Sequence, residues 1–397
     1  MDYRYEFNGK KASLLGYGAM RMPEDQEELE LQVKRLLDGG VTYFDTSPVY
    51  MQATSERRLG EALAKSGYRR EDYVLVTKLS NFAESHWTLE KCREMFAASL
   101  KALRTDYFDG YLLHSIGNGG FKTFSKRYLE NGVLDWLEEE RRKGTIRNLG
   151  FSFHNDPKAL EWCLKAHDEG RHKWDFALIQ LNFVDWRHAE ETAKGKNLNA
   201  EYLYNELYRR GIRVTVMEPL LGGRLAKYDY AIARHTVKLD PEATQASWAL
   251  RFCASHPGVA CVISGMSKLE HIEENLGTFS PFKPLTAAEF EALERAAVDF
   301  VKRTYTPCNR CNYCMPCPYG LDIPALLTFR NEWLVGREGR SGRDILKAYE
   351  RAVGEPLRRA DHCTGCDRCR KHCPQQIDIA REIEAIADAI EELSCGE

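Results

Sequence analysis

The 397-residue sequence has no dominant charge: 56 Lys and Arg stand against 59 Asp and Glu, for a net charge of −3. That balance gives no bulk electrostatic case for binding nucleic acid or an anionic membrane. No apolar run approaches the roughly 20 residues that a membrane-spanning helix needs. The opening, Met1-Asp2-Tyr3-Arg4-Tyr5-Glu6, lacks the basic and apolar stretches of a signal peptide, so a cytoplasmic protein is expected. A glycine-rich phosphate loop is also missing. Leu15-Gly16-Tyr17-Gly18-Ala19-Met20 offers only two glycines, which argues against an open dinucleotide-binding sheet. There is no fixed-period repeat and no flavin motif. What remains, 43% hydrophobic and 29% charged, is a globular chain too long for one small domain.

Cysteine is the exception to this ordinary composition. Of 13 cysteines, Cys92, Cys163, Cys253 and Cys261 are scattered and read as small buried apolar residues, and Cys395 sits in the tail. The other eight form two runs, Cys308-x2-Cys311-x2-Cys314-x2-Cys317-Pro318 and Cys363-x2-Cys366-x2-Cys369-x3-Cys373-Pro374. An odd total and tight bunching argue against a disulfide framework. The second run has the spacing of bacterial two-cluster ferredoxins, and the first is one residue shorter before its last cysteine. In such ferredoxins the fourth cysteine of each run ligates the other cluster. Carried over, Cys308, Cys311, Cys314 and Cys373 hold one [4Fe-4S] cluster, and Cys363, Cys366, Cys369 and Cys317 hold the other. A pair of zinc sites is the alternative, since four thiolates also suit zinc.

The first three hundred residues alternate short β-branched or aromatic runs with stretches of helical period. Strands are expected at Leu14–Gly18, Thr42–Phe44, Tyr73–Thr77, Phe108–Leu113, Ile146–Phe151, Phe176–Gln180, Arg213–Met217 and Val259–Ile263. Helices such as Gln26–Leu37, Leu89–Leu103 and Pro157–His167 lie between them, and Ala287–Lys302 closes the series. Eight such units predict an α/β fold, a closed parallel (β/α)8 TIM barrel. The boundary falls near Thr304, giving a barrel over 1–303 and a mostly helical cysteine-bearing domain over 304–397.

In a parallel barrel, chemistry sits at the C-terminal ends of the strands. Asp45 and Tyr50 follow the second expected strand, Lys78 follows the third, and His114 follows the fourth. A carboxylate, a phenol, an ammonium and an imidazole sharing one mouth make a proton relay. A Lys beside a Tyr favours the phenolate, a buried carboxylate holds the Lys, and a neutral His orients a carbonyl.

Phe44-Asp45-Thr46-Ser47-Pro48-Val49-Tyr50, Ser55-Glu56-Arg57-Arg58-Leu59-Gly60, Val76-Thr77-Lys78 and Leu112-Leu113-His114 resemble the aldo/keto reductases over about residues 10–300. With its cysteine tail, the chain resembles the ferredoxin-tailed branch of that family. The resemblance implies an NAD(P)H-dependent oxidoreductase interconverting a small-molecule carbonyl and alcohol without a catalytic metal. Tyr50 is then the general acid or base, Lys78 tunes it, Asp45 holds Lys78, and His114 orients the substrate oxygen.

The resemblance also implies cofactor contacts at Gly18, Met20 and Asp45. Ser152 and Gln180 take the nicotinamide amide, although Phe153 replaces the family's Asn. Met217 stands where the family stacks a Tyr on the nicotinamide. Gly265, Met266 and Ser267 match the pyrophosphate segment, and His271, Glu274 and Asn275 the adenine segment. Lys268 is the single fixed positive charge in that stretch, so NADH is favoured over NADPH. The two clusters serve single-electron transfer, with a ferredoxin or other redox carrier as partner, or they staple the tail. The alternative is an iron–sulfur electron-transfer or interaction protein on an inherited barrel with little hydride chemistry. Phe121, Phe124 and Tyr128 in 115–128, and Trp186 in 185–199, would suit an apolar or cyclic carbonyl.

Overall fold

The computed structural model describes residues 1–192, 198–303, 305–335, 337 and 339–395. Part of the expected 185–199 loop, and Thr304 at the expected junction, lie outside the described residues. Eight parallel strands close into a barrel: β3 (Leu15–Gly18), β4 (Tyr43–Asp45), β5 (Val74–Leu79), β6 (Gly110–Ile116), β7 (Leu149–Phe153), β8 (Phe176–Gln180), β9 (Arg213–Met217) and β10 (Val259–Ser264). Each pairs with its neighbours in order, and β10 returns to β3 to complete the ring.

Every expected strand is present, with ends moved by a few residues. Phe108 and Ile146 were expected to begin strands. They form only an isolated bridge to each other, and β6 and β7 begin later.

Two short strands precede the barrel, β1 (Tyr3–Phe7) and β2 (Lys10–Ser13), paired antiparallel. Asn8 (φ 52°) and Gly9 (φ 82°) make the tight turn, since Asn and Gly tolerate the left-handed backbone that a two-residue hairpin requires. Phe7 is fully buried and meets Tyr43 and Phe176 edge-on, so the hairpin closes one end of the barrel.

Capping residues set the helix starts. Asp25, Thr88, Asp156 and Thr286 each accept a hydrogen bond from a backbone N–H of the following first turn. The tail builds a second, separate core. Leu326 and Phe329 of helix Ile323–Phe329, Ile345 and Tyr349 of helix Gly342–Val353, and Ile383 and Ile386 of helix Ile379–Cys395 pack together. Among the described residues, no helix is long and apolar enough to cross a membrane.

Candidate active site and cluster sites

Asp45 ends β4, Lys78 lies in β5 and His114 in β6, and all three are buried at the barrel mouth. Lys78 Nζ donates to Asp45 Oδ1 at 2.5 Å and to the Thr46 carbonyl at 2.8 Å. Burial pushes Lys78 down and Asp45 up, and each opposes the other's shift through their contact. Met51, Gln52 and Ala53, directly after Tyr50, all have left-handed backbone, a local strain of the kind that clusters at working sites. The Tyr50 ring lies 5.0 Å from Lys78 Nζ and 5.9 Å, edge-on, from the His114 ring.

His114 sits at a register shift between β6 and β7, and Ser115 beside it has a φ of 56°. Ser80 Oγ is 2.5 Å from His114 Nδ1 and 2.9 Å from Ser47 Oγ. This partner occupies Nδ1 and leaves Nε2 for the mouth. Burial holds the imidazole well below its usual pKa, reinforced by the charges of Lys78 and Arg127, so it is neutral. Buried Arg127 also donates to the His114 carbonyl at 2.7 Å, fixing the backbone at this point.

The expected lowering of the Tyr50 pKa is not found. Burial pushes the phenol well above its usual range, and Tyr313 and Asp45 push the same way. Lys78 faces the ring at 5.0 Å from its centroid and makes no hydrogen bond to the hydroxyl.

Tyr313 comes from the tail, between Cys311 and Cys314. Its ring lies 6.4 Å from Phe82, which is 4.9 Å from His114. The tail therefore covers the barrel mouth. Arg21, just after β3, donates to the Asn309 carbonyl. Arg310 donates to the Gly222 carbonyl at 3.2 Å, Asn155 to the Pro374 carbonyl at 3.0 Å, and Gln375 to Gln180 Oε1 at 3.1 Å.

The expected cofactor residues divide into two groups. Gly18, Met20, Ser152, Gln180, Met217, Gly265 and Ser267 lie at or just beyond the C-terminal ends of barrel strands. Ser152 Oγ accepts from the Ser115 N–H at 2.7 Å, and Gln180 Nε2 donates to Asp185 at 2.6 Å. His271 is exposed on helix Leu269–Phe279. The others are engaged in the fold. Met266 is buried in the main core, Asn275 donates to Ser264 Oγ at 3.1 Å, and Glu274 accepts from Thr244.

Among the described residues around the mouth, four buried polar atoms have no protein partner: Asp45 Oδ2, Asn155 Oδ1, Arg21 Nε and Arg224 Nη2. Buried polar atoms are normally satisfied, so these mark room for a polar ligand with acceptors for the guanidinium groups and donors for the two oxygens. A dinucleotide, with phosphates and ribose hydroxyls, fits that set. Sequence reading missed Arg21 and Arg127, and did not place Tyr313 over the barrel mouth. No local motif marks them, and each acts through a partner distant in sequence.

In the tail, Cys308, Cys311, Cys314 and Cys373 line one cavity. Cys317, Cys363, Cys366 and Cys369 all line a second, where Cys314 also reaches. Cys308, Cys311 and Cys314 each lie close enough to Cys373 to interact electrostatically. Among the described residues, no three His, Cys, Asp or Glu side chains are grouped for a single metal ion. Thiols set around a cavity suit a cluster of several irons better than one zinc, which needs ligands at about 2.3 Å.

Comparison with known proteins accords with this geometry. A family model described as "Aldo/keto reductase family" matches residues 14–298. The chain belongs to the aldo/keto reductase family. A second model, a 4Fe-4S dicluster domain, matches residues 307–378, so this aldo/keto reductase carries an iron–sulfur tail. An uncharacterized oxidoreductase of Bacillus subtilis is 26% identical over 302 residues, 71% of this chain and 92% of its own. L-Galactose dehydrogenase of Arabidopsis thaliana is 23% identical, over 72% of this chain and 91% of its own. The holo form of an aldo-keto reductase from Bacillus halodurans superposes with a TM-score of 0.60 at 24% identity, over 75% of this chain and 96% of its own. Such distant structural likeness establishes the barrel fold, and the relatives make the protein an oxidoreductase.

Proposed function

We propose that the barrel interconverts a carbonyl and an alcohol using a nicotinamide dinucleotide, and that the tail holds two [4Fe-4S] clusters. When bound, the nicotinamide exchanges a hydride, and the clusters exchange single electrons. The observation that carries this reading is the meeting of Tyr50, Lys78, Asp45 and His114 in one mouth.

Each residue has a definable task. When the Ser80 hydroxyl donates to His114 Nδ1, the proton of the neutral imidazole sits on Nε2 and can donate to a substrate oxygen. Tyr50, protonated at neutral pH, is the group placed to give its proton to that oxygen, and its raised pKa makes it a weak acid that needs help to do so. The Lys78 charge, 5.0 Å from the ring, stabilises the phenolate left behind, and Asp45 keeps Lys78 in place. Tyr313 and Phe82 keep the relay away from bulk water.

Ser152, Gln180 and Met217 would line the nicotinamide. Gly18, Met20, Gly265 and Ser267 would approach the phosphates by backbone, and Asp45 Oδ2 would accept a ribose hydroxyl. His271 would face the adenosine end. We favour NADH. Around His271, helix Leu269–Phe279 carries exposed Glu270 and Glu274, and Glu273 is neutralised by a two-pronged pair with Arg35, so the segment offers a 2′-phosphate little positive charge. Cys308, Cys311, Cys314 and Cys373 would hold one cluster, and Cys317, Cys363, Cys366 and Cys369 the other. A ferredoxin-like carrier would be the partner for single electrons.

A second reading, an electron-transfer or interaction protein on an inherited barrel, is favoured by one feature: both ends of the Gln180 amide are already engaged, by Asp185 and Gln375. Tyr50→Phe separates the two. Nicotinamide-dependent carbonyl turnover should vanish while iron content and nucleotide binding persist. Unchanged turnover would exclude Tyr50 as the acid.

A further inference from the structure

A groove of about 760 Å3 runs along the tail and is bordered at one side by the barrel mouth. That is within the size range of small-ligand sites. On the barrel side lie Arg21 and Ser267, and on the tail side Arg310, from the first cysteine run, and Arg351, from helix Gly342–Val353. Arg21 Nη1 approaches to 4.0 Å of the point where a Cβ on Gly265 would stand, so its guanidinium borders the loop that opens helix Leu269–Phe279. That helix has no side-chain cap on its first-turn N–H groups. Arg21 Nε is buried and unpartnered, which keeps a donor in reserve. Arg310 and Arg351 are exposed.

We propose that the tail supplies half of the cofactor's phosphate site: Arg310 and Arg351 face Arg21 and Ser267 across this groove and grip the pyrophosphate of the dinucleotide. The inference rests on the reading that the barrel binds NAD(P)H. The planar forks of arginine match phosphate oxygens two at a time, which makes them the fitting side chains for such a ligand. Asp322 and Glu332 also line the groove. Asp322 is tied to the Ala325 N–H as a helix cap. Arg21 and Arg310 each spend one guanidinium nitrogen on a backbone carbonyl, of Asn309 and Gly222, and Arg21 also lies 3.8 Å from Glu218. These two therefore face the groove with part of their donors already used, and Arg351 is the one with its fork uncommitted among the described contacts.

The position selects the pyrophosphate over a 2′-phosphate. Arg21 lies close enough to Tyr50 and Tyr313 for its charge to act on both phenols. A phosphate held there is next to the nicotinamide end of the dinucleotide, whereas a 2′-phosphate lies at the adenosine end. The tail is thereby a part of the cofactor site as well as a carrier of clusters, and docking of the cluster-loaded tail would govern nucleotide affinity.

The test is an equilibrium titration of the cluster-loaded, full-length chain with NADH and with NADPH, at low and high salt, for the parent, Arg351→Gln and Arg310→Gln. Arg351 lies far from the cysteines in sequence, so Arg351→Gln decides the matter if Arg310→Gln disturbs a cluster. Each variant should weaken both nucleotides alike by about tenfold, with a shallower salt dependence and unchanged iron content. Parent-like affinity in Arg351→Gln would overturn the inference and leave the cofactor reading standing. Weakening of NADPH alone would move these arginines to the 2′-phosphate and overturn the pyrophosphate assignment. A parent that binds neither nucleotide would instead overturn the proposed function.

Discussion

Asp45→Asn removes one half of the buried pair that organises the mouth while changing the side chain's size very little. Asp45 and Lys78 meet at 2.5 Å with almost no solvent access. Two unit charges about 4 Å apart attract by about 4 kcal/mol at an effective dielectric constant near 20. Breaking a buried pair by deleting one partner costs a similar amount, about 3–5 kcal/mol, because the survivor is left charged and unpaired. For a chain of 397 residues, that predicts a fall in melting temperature of about 4–6 °C.

The pH dependence carries a sign. In the variant, Lys78 loses the neighbour that raised its pKa, and burial alone pulls it further below the unfolded value. Between the two pKa values the unfolded chain binds more protons than the folded one, so the variant gains stability as pH rises. The deficit relative to the parent should therefore be largest near neutral pH and narrow towards pH 10. Thermal unfolding of cluster-loaded parent and variant across that range measures it. A variant melting within 2 °C of the parent, or a deficit that widens with pH, would refute the charged pair.

Four further outcomes are expected. Ser80→Ala removes the 2.5 Å partner of His114 Nδ1 and should lower kcat/KM about tenfold without changing nucleotide affinity, as steady-state kinetics and titration would show. Tyr313→Ala should open the mouth and improve turnover of bulky carbonyls relative to small ones, which a substrate series would detect. Cys373→Ser and Cys317→Ser should each halve the iron content, and EPR should show that they remove different clusters. Glu56, held by Thr77 and Ser99, has its pKa raised from 4.5 to about 7 by burial, so the folded chain loses stability as pH rises from about 5 through 7. Glu56→Gln should flatten that slope in denaturant unfolding.

Some parts of this arrangement could be read from the sequence, and the reason differs from part to part. The barrel strands announced themselves because their side chains are buried on both faces, giving short apolar runs between helical stretches. Asp45, Tyr50, Lys78 and His114 stood out because chemistry in such barrels follows strand ends. The expected division of the cysteines came from the ferredoxin-like spacing of the runs together with the exchange of the fourth cysteine in such proteins. The N-terminal hairpin was missed although Asn8-Gly9 between alternating residues is a strong turn signal.

Arg21, Arg310 and Tyr313 were beyond reach for another reason: their roles depend on how the tail docks, through contacts such as Arg21 with Asn309 that span 288 residues. Lys268 is the fixed cation of its own segment in the sequence, whereas the fold brings Arg21 to Gly265 from the turn after β3. Met266 and Asn275 aligned with cofactor positions, yet Met266 packs inward and Asn275 tethers its helix to β10.

The close approach of Gly222 to Asn309 decides how barrel and tail can seat on each other. A Cβ on Gly222 would stand 2.5 Å from the Asn309 Cα, backbone against side chain with no room for either to yield. Any side chain at position 222 would therefore lever the tail off the mouth. Grafting this tail onto a barrel with a larger residue there should give two folded halves that no longer seat on each other. The seat of the tail on the barrel therefore depends on the bare backbone at position 222.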